Sequence, residues 1–262
     1  ENKGLYEWGM KQLDSDFPFF FLPNEDTWLK DVDHMPDAKY APVIAAAYLA
    51  DEIDGHMINS WEAWSRVMMA EDNMRKKNGP FVPTYTGGHS NRLNGAFSGI
   101  SDIQGMDFYV AGCAPHITSF DNTMRIQGAY DYLINTRNNM KPMPTWLYSQ
   151  AFRMDCWEYY ALNTGELLVQ FGSVVAAGGK GIMLFQSDVK SKAKDSTAWD
   201  NGGKFLSSMY AIREILRISD VDGAKYDTDA DHAIVSVLGG PETALVIFLN
   251  TNADSYNDVT CY

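Results

Sequence analysis

Three carboxylates close an apolar run, Ala41-Pro-Val-Ile-Ala-Ala-Ala-Tyr-Leu-Ala-Asp51-Glu52-Ile-Asp54. A proline opens it and small or β-branched residues fill it, which predicts a buried strand. Burial of apolar surface gives no reason to set Asp51 and Glu52 at its end. In parallel α/β proteins, however, ligands bind at the carboxyl ends of strands. Glu52 is therefore the leading catalytic candidate, with Asp51 beside it as a helper or hydrogen-bond acceptor.

The same position on other predicted strands supplies the rest of a site. Glu25 follows the run Phe17–Leu22, and Tyr85 and His89 stand at the end of the run that starts at Phe81. Asp107 and Tyr109 lie in Asp102–Val110, and Trp146, Tyr148 and Gln150 in Pro144–Phe152. Gln186 and Asp188 end the run from Gly181. Carboxylates among aromatic rings and amides suit a carbohydrate, whose C–H faces pack on Trp and Tyr while its hydroxyls bond to the polar groups. Cleaving a glycosidic bond needs two carboxyl groups, one protonating the leaving oxygen and one acting on the anomeric carbon or on water. Asp107 is the expected second group.

Alternation along a strand assigns faces. Glu52 shares parity with Ala46, Tyr48 and Ala50, and Asp51 with Ala45, Ala47 and Leu49. Both sets fit an interior, and Glu52 is favoured inward. Asp107 aligns with Gly105 and Tyr109, opposite Met106, Phe108 and Val110; the bulky apolar set suits the helix side. Trp146, Tyr148 and Gln150 share a face opposite Leu147. Gln186 ends the face of Ile182 and Leu184.

The elements that must position these residues alternate. Six strand–helix cycles run from Phe17 to about Arg217, with helices expected near 27–32, 60–77, 91–97, 122–140, 164–177 and 203–217. That pattern predicts a (β/α)8 barrel lacking its first two strands, over residues 1–219. After Asp220 the texture changes to a hairpin, His232–Leu238 and Thr243–Leu249. Residues 220–262 are read as the beginning of an antiparallel, β-sandwich-like accessory domain. The sequence opens on Glu1 and closes at Tyr262, so the rest of a longer polypeptide is expected at both ends.

Composition excludes several classes. The 262 residues carry a formal net charge of -13, which disfavours nucleic acid and anionic membranes as partners. No apolar run approaches the roughly 18 residues of a membrane span. Three cysteines leave Cys113 and Cys156 open to two readings, a disulfide in an oxidising compartment or two thiols in a reducing one. CxxC and His-x-x-x-His spacings are absent, so no metal and no cofactor is expected. Gly178-Gly-Lys-Gly181 lacks the P-loop pattern and sits between a helix and the next strand, which predicts a helix C-cap.

Tyr48-Leu-Ala-Asp-Glu52 resembles the strand-four ending of TIM-barrel glycoside hydrolases. Asp102-Ile-Gln-Gly-Met-Asp-Phe-Tyr109 resembles their strand-to-Asp-aromatic-Tyr pattern. Ala176-Ala-Gly-Gly-Lys-Gly-Ile-Met-Leu-Phe185 is similar to their last helix-to-strand passage. The resemblance spans residues 17–217. It implies hydrolysis of a poly- or oligosaccharide, with Glu52 as general acid and Asp107 as nucleophile or base, in an extracellular or cell-surface protein. One departure matters. Where many such barrels carry a nucleophilic Glu on strand seven, this chain has Trp146, Tyr148 and Gln150. The Asn24-Glu25 pair is similar to their Asn-Glu acid pair but follows strand three in this count. The rival expectation is a non-catalytic barrel that binds glycans or serves a surface assembly. A phosphosugar isomerase or aldolase would want a glycine-rich phosphate site after the last strands, which is not visible.

Overall fold

A computed structural model describes residues 11, 19–21, 42, 44–50, 52, 64–65, 68–69, 72–73, 75–76, 83–88, 94–108, 122–150, 164–185, 197–221 and 233–250. They fall into two compact units, Glu1–Met106 with Asn139–Pro144, and Asp107–Asn138 with Thr145–Tyr262.

The first unit holds β1 (Phe19–Phe21), β2 (Ile44–Ala50), β3 (Thr84–Gly88) and β4 (Ile103–Phe108), the last of which ends two residues into the second unit. Each strand is the parallel neighbour of the one before it. A 3-10 turn, Asn94–Phe97, leads into β4 and buries Phe97 and Ile100.

Helix α1 (Asn122–Met140), all but its last two residues in the second unit, buries Ala129, Leu133, Thr136 and Arg137, and Met140 at its end, a stripe at helical spacing. The strands β5 (Thr145–Gln150) and β6 (Gly181–Phe185) pair in parallel, joined through α2 (Thr164–Ala176). Helices α3 (Thr197–Ala211) and α4 (Arg213–Ile218) follow. In both units successive strands are parallel neighbours in chain order, the pattern of a partial α/β barrel.

Helix α2 is buried almost all round, from Leu167 and Gln170 through Ala176. A helix apolar on every side needs cover on every side. Against β5 it offers Val174, which joins Leu133, Leu147 and Ala177 in one cluster. Against α3 it offers Phe171, whose ring centroid lies 6.0 Å from that of Phe205. The third cover is an antiparallel sheet of β7 (Asp220–Val221), β8 (Ala233–Gly239) and β9 (Ala244–Asn250). Leu249 reaches Gly172 there, and the Ser236 hydroxyl donates to the Ala176 carbonyl. On the outer side of this sheet Val246 and Phe248 are exposed.

The loop Gly178-Gly-Lys-Gly181 is a helix C-cap, as its position in the sequence predicts. The Gly179 N–H donates to Val174 O and the Gly178 N–H to Val175 O, the paired bonds of a Schellman ending. Gly178 has φ +75, and a Cβ there would lie 2.7 Å from Val221 Cγ2. Gly178→Ala is expected to cost about 1–2 kcal/mol, chiefly from the left-handed backbone. Urea unfolding checks this, and an unchanged midpoint would contradict it.

Candidate active site

Glu52 stands two residues beyond β2, partly buried, with φ 40. It is the one non-glycine residue with positive φ among the described residues. Such a conformation costs on the order of 1–3 kcal/mol and persists only where the surroundings impose it. Just before it the β2–β3 register shifts. Tyr48 aligns with Tyr85, but Ala50 aligns with Thr86, so β2 carries one extra residue. Bulges re-aim the side chains that follow them. The alternation counted from Tyr48 therefore does not carry through to Glu52, and parity gives no ground for preferring it over Asp51. The backbone strain at 52 is a different mark, and it is invisible in sequence.

Tyr85 is fully buried. Its ring lies across Gly105 and packs at 4.8 Å, tilted 49°, against Tyr48. Placed so, it fills the interior and offers no exposed face to a sugar. The opposite face of β3 and β4 is a polar ladder that strand patterning did not foretell. The Asp102 carboxylate accepts from Thr84 N at 2.8 Å and Thr84 Oγ1 at 2.9 Å. Thr86 Oγ1 donates to Gln104 Oε1 at 2.9 Å, and Gln104 Nε2 donates to Gly105 O at 3.0 Å. Thr84, Thr86 and Gln104 are fully buried, so these bonds offset a desolvation cost and pin β3 to β4. The available signal was the Thr-x-Thr alternation followed by Ser101-Asp102-x-Gln104. Asp107 is the penultimate residue of β4.

In the second unit β5 alternates as expected. Thr145, Leu147 and Ser149 are buried, while Trp146 and Tyr148 are half-buried. Leu147 enters the helix-side cluster, and the Ser149 hydroxyl donates to Gln170 Oε1 in α2. Trp146 and Tyr148 therefore face away from the helices, on the side to which alternation assigns Gln150, the last residue of the strand. The Trp146 indole lies over Gly181 of β6, where a Cβ would come within 2.5 Å of the ring. This fixes the faces of β6. Ile182 packs on the helix-side cluster, opposite Gly181. Gln186 itself lies outside the described residues, as do Glu25, Asp51, His89, Tyr109, Asp188 and the pair Cys113 and Cys156.

A second polar cluster sits at the other end of β5 and β6. Lys180 immediately precedes β6; its Nζ donates to Leu216 O at 2.5 Å and Ser219 O at 2.6 Å, closing α4. Burial, then the neighbouring Arg137, holds its ammonium below the ordinary lysine value. Arg137, also lowered by burial, forms an ion pair with Asp220. These groups staple helices to strands at the end away from the carboxyl termini. Close by, burial raises the Tyr130 hydroxyl above its usual 10.0, against the Ser236 hydrogen bond that lowers it. A raised folded value means stabilisation that is complete below pH 10 and lost as pH climbs through the folded value. The melting-temperature difference between wild type and Tyr130→Phe is expected to shift against wild type above pH 10. A difference independent of pH from 8 to 11 would refute this. Lys180 is common to both proteins and cancels.

Among the described residues no group of three His, Cys, Asp or Glu could hold a metal ion, and no helix is long and apolar enough to cross a membrane. No family model and no curated protein matches the sequence. Solved structures do match. A β-glucuronidase from Ruminococcus gnavus, in complex with a C6-substituted uronic isofagomine, superposes with a TM-score of 0.52 at 8% identity. The match covers 76% of this chain and 41% of that one. The same enzyme with D-glucaro 1,5-lactone gives a TM-score of 0.47 at 7% identity, over 76% of this chain and 41% of that one. The first likeness, at TM-score 0.52, is one of fold alone, and this chain spans about two-fifths of those proteins' length.

Proposed function

We propose that this chain is the core of a glycoside hydrolase acting on a poly- or oligosaccharide, built on a (β/α)8 barrel. The observation that carries the reading is Glu52, held at φ 40 beyond a bulged strand end in a fold of the glycosidase kind. Strain maintained at a strand's carboxyl end in such a fold is the mark of a working residue.

In the proposed mechanism Glu52 donates its proton to the glycosidic oxygen as the bond to the anomeric carbon breaks. Asp107 attacks that carbon, or takes a proton from the water that does. The separation of the two carboxyl groups selects between these, about 5 Å for a covalent intermediate with retention and roughly 6.5–9.5 Å for inversion. Trp146, Tyr148 and Gln150 contribute stacking and hydrogen bonds to the sugar, with Glu25, Asp51, His89, Tyr109 and Asp188 as further contacts. Release of reducing ends from a panel of oligosaccharides and 4-nitrophenyl glycosides tests the reading. Turnover of at least one is the expected result. Tight glycan binding with no turnover across the panel would overturn it.

A further inference from the structure

The Ser149–Gln170 bond crosses the interface between β5 and α2. Both residues are fully buried, and the same strand and helix contribute Leu147 and Val174 to an apolar cluster with Leu133 and Ala177. Apolar residues would fill this place without a desolvation cost. A buried polar pair instead favours one geometry, because a slip breaks the bond and strands the Ser149 hydroxyl. Ser149 lies between Tyr148 and Gln150, at the carboxyl end of β5. A slide of β5 along α2 would change the depth from which those two side chains emerge.

We infer that Gln170 is a positioning residue. Through Ser149 it sets the level of the carboxyl end of β5 and so the placement of Tyr148 and Gln150 toward substrate. The substrate part of this rests on the glycosidase reading; the hold on β5 does not. Gln170 reaches no substrate itself, since it lies on the helix side of the strand.

A pair of variants in the full chain separates positioning from bulk stability. Gln170→Leu alone leaves the Ser149 hydroxyl stranded and should lower the melting temperature. Adding Ser149→Ala removes the stranded group and should restore it. If the pair positions β5, the restored double variant still exchanges the backbone amides of 148–150 on the order of ten-fold faster than wild type. With the 4-nitrophenyl glycoside that wild type cleaves fastest, its KM then rises on the order of ten-fold while kcat stays within about two-fold. A double variant with wild-type melting, exchange and KM would overturn the inference, leaving the pair as packing only. Fast exchange at 148–150 when wild type cleaves no glycoside would uphold the hold on β5 and sink the glycosidase reading instead.

Discussion

Glu52→Gln is expected to lower kcat by about 10²–10⁴-fold on any glycoside the wild type cleaves, because the amide cannot donate the proton the leaving oxygen needs. Melting should not change, since Gln and Glu carry the same steric penalty at φ 40. A second substitution reads the strain itself. Glu52→Gly removes the Cβ responsible for that penalty and is expected to stabilise the chain by about 1 kcal/mol while abolishing turnover. A protein that gains stability by losing one side chain, and loses its chemistry with it, has kept that side chain for the chemistry. Full activity in the Gln variant would end the assignment. Loss of stability in the Gly variant would show that the local conformation serves folding.

Gly105→Ala is expected to cost about 3 kcal/mol, at the upper end of overpacking, and to lower the urea midpoint accordingly. The reason is local. Tyr85 lies over Gly105, so a Cβ at 105 would enter the phenol ring, which also packs against Tyr48. Tyr85 is fully buried and cannot swing into solvent. Combining Gly105→Ala with Tyr85→Leu should recover part of the loss, giving a coupling of at least about 1 kcal/mol in a double-mutant cycle. Additive costs would mean that the ring and the glycine do not meet.

Local chemistry made much of this architecture legible. The apolar runs became parallel strands, and the long helix was expected and found at Asn122–Met140. The glycine loop before β6 read correctly as a cap, because Gly is the residue that takes the left-handed turn at a helix end. Elsewhere glycine misled. Gly87-Gly88 reads as the start of the loop after Thr86, yet β3 runs through Gly88. A Cβ there would lie 2.9 Å from both Gln104 Nε2 and Met106 Sδ, so this glycine makes room for a neighbouring strand. Gly202-Gly203 suggested a helix start near 203, but α3 begins at Thr197 and runs through both. Gly202 lies against Leu167 of α2, so packing outweighs propensity there.

The site was legible in part. Period-two alternation identified Trp146 and Tyr148 as side chains facing away from the helices, because β5 is regular and Leu147 anchors its other face. The same count does not carry through to Glu52, where the β2–β3 register shifts by one residue, and Gln186 lies outside the described residues. Alternation gives relative faces, and only a tertiary contact says which face is inside. The polar ladder of Thr84, Thr86, Asp102 and Gln104 escaped notice because its partners are eighteen residues apart and each looks solvent-facing alone.

The most direct test of the central claim is a crystal structure of Glu52→Gln with an oligosaccharide that wild type cleaves. The scissile linkage is expected at the carboxyl ends of the strands, with the side-chain amide of residue 52 about 3 Å from the glycosidic oxygen and the Asp107 carboxylate on the anomeric carbon's far side. A sugar bound with neither residue 52 nor Asp107 within reach of the linkage would contradict it.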